Sequence, residues 1–333
     1  TRMFDKMTAV VLRGFGGPVV MEIAEVTPPA PGPNRVRVRV LATSVNRADI
    51  IQRQGHYPPP PGESDILGLE VAGRIDALGA GVSGWNPGDR VMGLVAGGGY
   101  AEYALVYAEH LIPIPETMNV TTAACVSETY ITAYLNVFMI GVFHSGQSVL
   151  LHGGGGGVNT AALQICRALV PDGTIIVTAS SGKLERVMDL GADLVIDYKA
   201  QDFAVEVRAF TRNRGVDLIL DHIGADYLKA NMKSLAIGGR LVVIGVMGGA
   251  AAPVNLAHLL VKRQHIIGSV IRSRSVEEKA AITTAFKENV LPLLSGRRIE
   301  PLIHRIYPIE SVRDAHGEME SSRHFGKIVL AVQ

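Results

Sequence analysis

The stretch VLLHGGGGGVNTAALQICRA, residues Val149–Ala168, decides the fold. Five consecutive glycines, Gly153–Gly157, separate an apolar run from a segment with helical spacing of apolar residues. Where the first strand of a dinucleotide-binding sheet ends, residues without a Cβ let backbone N–H groups approach a pyrophosphate. Gly154 and Gly157 have the G-x-x-G spacing of such a loop. A flexible linker is the alternative, but the position between a strand and a helix argues against it.

Asn159 stands where a third glycine normally lets the helix pack closely on the strand. Two explanations are open. Either the neighbouring residues move slightly to admit the side chain, or its amide forms a hydrogen bond with the loop backbone.

The rest of the chain from about Cys125 repeats strand-like and helix-like segments. Uninterrupted apolar runs are typical of strands buried on both faces, and repeated strand–helix–strand units predict a parallel sheet. The fold class predicted is α/β, with a doubly wound sheet of about six strands. The six runs are Ser148–His152, Thr174–Ala179, Ala192–Asp197, Val216–Ile223, Arg240–Val246 and His265–Ile271.

The N-terminal part is β-rich instead. RVRVRVLATSV, Arg35–Val45, alternates as a half-buried strand does, and the four prolines of HYPPPPGES, His56–Ser64, require an extended loop. The chain ends on another strand-like run, Gly326–Gln333.

The second strand of the predicted nucleotide-binding sheet indicates which coenzyme binds. Proteins that bind NAD usually carry an acidic residue there for the ribose 2′-hydroxyl. Here no acid precedes Glu185, whereas Ser181 and Lys183 suit a 2′-phosphate. The sequence therefore predicts NADPH. The alternative is that these two residues only begin the next helix.

Composition excludes several other classes. A net charge of +1 over 333 residues does not favour nucleic acid as a partner, and two cysteines cannot form a disulfide framework or a four-cysteine zinc site. The apolar stretch Tyr130–Phe143 is shorter than the roughly 20 residues of a membrane span. His152 is interpreted as a packed side chain and not a metal ligand. We expect a cytoplasmic protein with no membrane partner.

At this point the sequence resembles the zinc-independent quinone oxidoreductase branch of the medium-chain dehydrogenase/reductases, over nearly its whole length. The stretches that carry the resemblance are Asn46–Gly62, Asp65–Gly73, Gly97–Val106, Val149–Gln164, Leu218–Gly224, Ile271–Ser275, Arg305–Ile309 and Gly326–Leu330.

The resemblance implies a GroES-like substrate domain from residues 1–125 and 271–333, with a Rossmann NADPH-binding domain from 126–270 inserted. It also implies an active site between the two and a homodimer joined through the nucleotide-binding domains. Together with the loop analysis, it predicts cofactor contacts from Thr132, Gly154, Gly156, Gly157, Val158, Ser181, Lys183, Tyr198, Ile223, Gly245, Met247 and Lys327.

Two positions differ from the zinc enzymes of the superfamily. Asn46 stands where they carry a ligand cysteine, and Leu69 where they carry a ligand histidine, so we expect no metal. The catalytic candidates are Asn46 and Tyr57, as hydrogen-bond donors to the carbonyl oxygen of a quinone. The structural alternatives are that Asn46 caps a helix and that Tyr57 packs on the prolines.

The function predicted from these residues is NADPH-dependent reduction of quinones, ortho-quinones in particular, by hydride transfer. Reduction of the double bond of an enal or enone uses the same geometry and is the first alternative. The second is a structural or regulatory protein that binds NADPH without turnover.

Overall fold

The computed structural model describes residues 6–332, so residues 1–5 and 333 of the predicted substrate domain lie outside the described part. The chain divides into two compact units. One contains the described residues up to Ile131 and those from Ile271 onward, and the other is Thr132–Val270. The first division falls a few residues after the predicted position.

Fifteen strands are present in residues 6–332. They are β1 Met7–Leu12, β2 Met21–Val26, β3 Arg35–Val45, β4 Glu70–Leu78, β5 Arg90–Leu94, β6 Tyr103–Tyr107, β7 Leu111–Pro113, β8 Ser148–Leu151, β9 Thr174–Ala179, β10 Leu194–Asp197, β11 Val216–Asp221, β12 Leu235–Val243, β13 His265–Gly268, β14 Ile303–Pro308 and β15 Lys327–Ala331.

The same residues form eleven α-helices. They are α1 Arg47–Arg53, α2 Val120–Ala123, α3 Ser127–Tyr134, α4 Gly157–Leu169, α5 Leu184–Asp189, α6 Phe203–Phe210, α7 Ala225–Ser234, α8 Leu256–Lys262, α9 Val276–Asn289, α10 Leu291–Ser295 and α11 Val312–Glu320.

The unit Thr132–Val270 is built on the predicted parallel sheet. Its six strands lie in the order β10-β9-β8-β11-β12-β13, which confirms the doubly wound fold. The central strands are mostly apolar, and Leu150, Ile176, Ile219 and Leu241 are fully buried. The strand order reverses between β8 and β11, and ligands of such sheets bind at the carboxyl ends of the strands beside this point.

The other unit is a β domain with a seven-stranded sheet, in which β14-β15-β3-β4-β5-β7 are neighbours and β6 also pairs with β3. The alternation predicted for β3 is present: Val36, Val38 and Val40 are buried, whereas Arg37 points outward and pairs with Asp76 on β4 at 2.6 Å. Because β15 comes from the end of the chain and lies directly beside β3, the two parts of this unit form one sheet.

Candidate active site

The glycine loop follows β8 and packs tightly against β9. Gly153 and Gly155 have φ angles of +82° and +92°, which favour glycine. The Gly154 N–H donates to the Thr178 carbonyl at 2.7 Å, and a Cβ on Gly154 would lie 2.8 Å from the Cβ of Ala179. These glycines therefore allow both the turn and the close approach to β9.

The side chain of Asn159 forms a hydrogen bond with the backbone, which is the second of the two explanations for an asparagine at this position. Its buried amide Nδ2 donates to the His152 carbonyl at 2.9 Å. The side chain thereby fixes the end of β8 to the first turn of α4, a contact that a glycine could not make.

His152 itself is a packed side chain. Its Nδ1 is 2.9 Å from Thr178 Oγ1 and its Nε2 is 2.7 Å from Asn231 Oδ1. The rings of Phe203 and Tyr227 lie edge-on to it at 4.8 Å. Burial lowers the pKa of His152 to about 3, so the imidazole is neutral and both its nitrogens are used within the unit.

The predicted coenzyme residues of this unit lie at one edge of its sheet. Ser181 and Lys183 form a short 3-10 turn directly after β9. Tyr198 follows β10, and its N–H donates to the Ala179 carbonyl at 3.3 Å. Since β8, β9 and β10 are parallel neighbours, the glycine loop and these three residues share the carboxyl edge of the sheet.

The loops after β11 and β12 complete this edge. Asp221 ends β11, and its carboxylate accepts the N–H of Ile223 at 3.0 Å. The Met247 N–H donates to the His222 carbonyl at 3.1 Å, and a Cβ on Gly245 would lie 3.0 Å from that same oxygen. The two loops are therefore bonded to each other as a single surface.

A nicotinamide dinucleotide fits this edge. Gly156 is the N-cap residue of α4 and no side chain caps the helix, so N–H groups of its first turn, including those of Gly157 and Val158, are available to a phosphate. Thr132 Oγ1 is buried without a hydrogen-bond partner among residues 6–332. An unpaired buried hydroxyl is costly, so a ligand group that bonded it would be favoured.

In the β unit, a buried carboxylate organises two of the predicted site residues, Asn46 and Lys327. Glu70, at the start of β4, has no exposed surface. Its Oε1 accepts Asn46 Nδ2 and Lys327 Nζ, each at 3.0 Å, and also the hydroxyl of Ser44. Its Oε2 accepts the backbone N–H of Glu128 at 2.9 Å. One carboxylate thus bonds groups from β3, β15, the residue before α1 and the first turn of α3.

Asn46 and Lys327 also bond each other. Lys327 Nζ donates to Asn46 Oδ1 at 2.6 Å, and its third contact is the Val45 carbonyl at 3.5 Å. Asn46 is the N-cap residue of α1, as the capping alternative required, and its N–H donates to Asp49 at 2.8 Å. Its side chain, however, is directed to Glu70 and Lys327. One amide N–H of Asn46 has only a weak contact, with the Ser44 carbonyl at 3.5 Å.

Tyr57 is half-buried and contacts Arg272. The guanidinium of Arg272 lies 4.9 Å from the centre of its ring and donates to its carbonyl at 3.2 Å. Sequence reasoning missed Glu70, Glu128 and Arg272 as parts of the site. The available signals were Glu70 within Asp65–Gly73 and Arg272 within Ile271–Ser275, two stretches that carry the family resemblance. Glu128 directly precedes residues 129–166, which contain no Asp, Glu, Lys or Arg.

Two acids near Glu70 keep their protons to unusually high pH. Burial raises the pKa of the Glu128 carboxyl to about 8, the Glu70 charge adds to the shift, and Lys327 opposes it. Burial also raises the pKa of Asp49 to about 6. Hydrogen bonds from the N–H groups of Asn46 and Gly68 and from the hydroxyl of Tyr100 lower it in part. At neutral pH Glu128 is therefore mostly protonated, whereas Asp49 is mostly ionised.

Neither a metal site nor a membrane span is found in the described part of the chain. No group of three or more His, Cys, Asp and Glu side chains in residues 6–332 could bind a metal ion. Leu69 is buried in the core. Among the same residues, no helix is long and apolar enough to cross a bilayer.

The raised pKa of Glu128 predicts a pH-dependent effect of Glu128→Gln. Glu128 binds its proton more tightly in the folded chain, so folding weakens as pH rises from about 4.5 to about 8. Glutamine has no proton to lose. The variant should therefore gain stability relative to wild type across this window, by at most about 1.4 kcal/mol per pH unit. Urea unfolding at pH 5, 7 and 8.5 measures the difference.

Glu277→Gln is the matched control, because Glu277 is also the second residue of its helix, α9, but is exposed. Its pKa is lowered by backbone N–H groups and Ser275, so this variant should show no gain as pH rises. A stability difference for Glu128→Gln that stays constant from pH 5 to 8.5 contradicts the prediction.

Comparison with known proteins is consistent with this geometry. The alcohol dehydrogenase GroES-like domain matches residues 32–116, and the zinc-binding dehydrogenase domain matches residues 157–287. A quinone oxidoreductase of Rattus norvegicus is 32% identical over 331 residues, which cover 97% of this chain and 97% of the relative. The synaptic vesicle membrane protein VAT-1 homolog of Homo sapiens is 32% identical over 342 residues, covering 97% and 86%.

Two solved structures show the same fold. An NAD-dependent alcohol dehydrogenase superposes with a TM-score of 0.86 at 32% identity, covering 98% of this chain and 100% of that one. A mycobacterial protein complexed with NADPH gives a TM-score of 0.88 at 27% identity, covering 98% and 99%. The chain thus belongs to the quinone oxidoreductase branch of the medium-chain dehydrogenase/reductases, and it is an oxidoreductase with a nicotinamide cofactor and a small-molecule substrate.

Proposed function

We propose that this chain reduces quinones, ortho-quinones in particular, with NADPH and without zinc. The observation that carries the proposal is the bonding of Lys327 Nζ to both Asn46 Oδ1 and Glu70 Oε1. Asn46 stands where zinc enzymes of the superfamily carry a ligand, and here a cation of the protein itself already bonds it. Leu69, at the other ligand position, offers no donor atom.

An acceptor that is already electrophilic suits such a site. The bound nicotinamide supplies a hydride, and a quinone accepts it without a metal to lower the pKa of an alcohol. The chain then has to align the two rings and donate hydrogen bonds to the oxygen that gains charge. Asn46 and Tyr57 are the proposed donors, since Asn46 has one weakly bonded amide N–H and Tyr57 has a half-buried phenol. The proton that completes the hydroquinone comes from solvent.

The assignment to NADPH rests on Ser181, Lys183 and Tyr198 at the edge after β9 and β10. The solved relatives are described with both coenzymes, one as NAD-dependent and one with NADPH bound. The absence of an acid between Ala179 and Leu184 favours the phosphorylated coenzyme.

The proposed assembly is a homodimer joined through the parallel-sheet unit. Strand β13 is the last strand of its sheet, with Ile266 exposed. Helix α8 has no buried residue, and Leu260 and Val261 are 76% and 71% exposed. An apolar sheet edge and helix left in water favour self-association, and a two-fold axis pairs such edges.

Coenzyme choice is tested on the residues after β9. Because a charged contact to a phosphate contributes about 1.5–3 kcal/mol, Lys183→Ala and Ser181→Ala together should weaken NADPH binding roughly ten- to a hundredfold and leave NADH binding unchanged. Fluorescence titration with both coenzymes measures this. Lys233→Ala is the control, because Lys233 lies in the last turn of α7, directly before the start of β12, and therefore toward the opposite edge of the sheet. Equal affinity of the wild type for NADPH and NADH contradicts the assignment.

The acceptor is tested by turnover with a quinone panel. Tyr57→Phe and Asn46→Ala should each lower kcat/KM for an ortho-quinone roughly ten- to a hundredfold, because their hydrogen bonds strengthen as charge develops on the oxygen. NADPH affinity should not change. Wild-type kcat/KM in both variants means that the two residues only support the structure of the site.

The alternative functions are tested on the wild type. Faster turnover of cinnamaldehyde than of 1,2-naphthoquinone favours the enal reductase, and no turnover of either favours a structural or regulatory role.

Metal independence is tested on active protein. We expect less than stoichiometric zinc by elemental analysis and an unchanged quinone reduction rate after treatment with EDTA. Loss of activity that zinc restores shows that a metal site was missed.

The dimer is tested by light scattering at micromolar concentration. A dimeric mass is expected for the wild type, and Leu260→Glu combined with Val261→Lys should shift it toward the monomer, because two charges at the paired apolar surface oppose association. Val19→Lys, an equally exposed apolar position in the β unit, is the control. A monomeric wild type refutes the proposal.

A further inference from the structure

Arg272 is a buried cation without a carboxylate partner. The residue is only 5% exposed, and no ion pair between residues 6 and 332 includes it. Its guanidinium donates to the Ala96 carbonyl from Nε at 2.9 Å and from Nη2 at 2.7 Å. Nη2 also donates to Gln52 Oε1 at 2.6 Å. Burying a charge with only neutral partners is costly, so a neutral side chain would be the simpler way to fill this space.

The same guanidinium contacts Tyr57 in two ways. Nη1 donates to the Tyr57 carbonyl at 3.2 Å, and the guanidinium carbon lies 4.9 Å from the ring centre. The hydrogen bond fixes the backbone that carries the phenol, and the face contact fixes the ring. Arg272 is itself fixed to α9, because its carbonyl accepts Lys279 Nζ at 2.6 Å.

The charges around the phenol act in opposite directions. Burial raises the pKa of Tyr57, the Glu128 charge also raises it, and the Arg272 charge lowers it. The other groups that act on Arg272 are Asp49, Glu128 and Glu63, and Lys279 lies beside it. Since Glu128 carries a proton near neutral pH, Arg272 is the main charge acting on the Tyr57 phenol there.

We propose that Arg272 is a positioning residue for the reaction: it fixes Tyr57 against Gln52 and Ala96, and its charge at the ring makes the phenol a stronger hydrogen-bond donor to the acceptor oxygen. The proposal rests on the proposed function, because it uses Tyr57 as the donor. The phenol keeps its proton throughout and only shares it with the quinone oxygen that gains negative charge on hydride transfer. A stronger donor stabilises that developing charge more than it stabilises the neutral quinone.

The first test needs neither coenzyme nor quinone. Tyrosine 57 is replaced by 3-fluorotyrosine, and its ionisation is followed by fluorine NMR in the full chain. We expect Arg272→Met to raise the midpoint of this titration by about one pH unit, since an opposite charge nearby shifts a pKa by about that amount. Arg272→Lys keeps the charge and should give a smaller rise. An unchanged midpoint in both variants overturns the proposal.

The second test is a double-mutant cycle with steady-state kinetics. Arg272→Met should lower kcat for an ortho-quinone by about tenfold or more in the wild-type background. In the Tyr57→Phe background the same change should cost less than about threefold, because the group through which Arg272 acts is gone. Arg274→Met is the control, since Arg274 pairs with Glu278 at the surface and neither has been placed in the site.

The outcomes separate this proposal from the proposed function. Equal loss of kcat from Arg272→Met in both backgrounds means that Arg272 only anchors the fold, and it overturns the proposal. A shifted fluorine titration in a protein that reduces no quinone supports the placement of Arg272 and overturns the proposed function instead. Thermal unfolding of each variant identifies loss of the fold, and in that case Arg272→Lys, which keeps the charge and most of the volume, decides both tests.

Discussion

The β unit depends on the ion pair between Glu70 and Lys327. The two residues are 257 positions apart, and their charged atoms lie 3.0 Å apart where neither side chain reaches water. Such a pair is costly to bury unless its remaining donors and acceptors are bonded. These groups are bonded here, because Glu70 also accepts hydrogen bonds from the Asn46 amide, the Ser44 hydroxyl and an N–H group in the first turn of α3. The pair thus fixes the strand at the end of the chain to the first helix and the largest strand of the unit.

The same pair acts on the acids beside it. Burial raises the pKa of both Glu128 and Asp49, the Glu70 charge adds to the shift at Glu128, and the Lys327 charge opposes the shift at both. Arg272 is left with neutral partners and the face of Tyr57. Around Glu70 the unit thus has one fully bonded ion pair, Glu70–Lys327, whereas the Arg272 guanidinium is in no ion pair among residues 6–332. A buried positive charge outside any ion pair favours a ligand group that becomes negative.

The sequence predicted the nucleotide-binding half better than the substrate half, for a physical reason. In the parallel sheet each strand and the loop after it are adjacent in sequence, so apolar runs and the Gly153–Gly157 loop already indicate the order and the ligand edge. The contacts in the β unit are between distant residues. Nothing in the spacing of Glu70 and Lys327 indicates that they are in contact. The role of Arg272 follows only from its contacts with Gln52, Ala96 and Tyr57 in the folded chain. The role of Asn159 also could not be read from the sequence, because the hydrogen bond from its side-chain amide to the His152 carbonyl depends on the turn between the two residues.

This difference suggests where members of the family can diverge. The glycine loop admits few changes, since Gly153 has a left-handed φ and a Cβ there would lie 2.3 Å from the His222 ring. The donors of the β unit are exchangeable side chains on a framework fixed by backbone and ion-pair contacts. Replacing Asn46 by a metal ligand, for instance, would leave Lys327 Nζ with Glu70 and the Val45 carbonyl as partners. A bound metal cation would then compete with the Lys327 ammonium group for the Glu70 carboxylate. Acquiring a metal in this fold therefore requires a change at Lys327 as well as at the ligand positions.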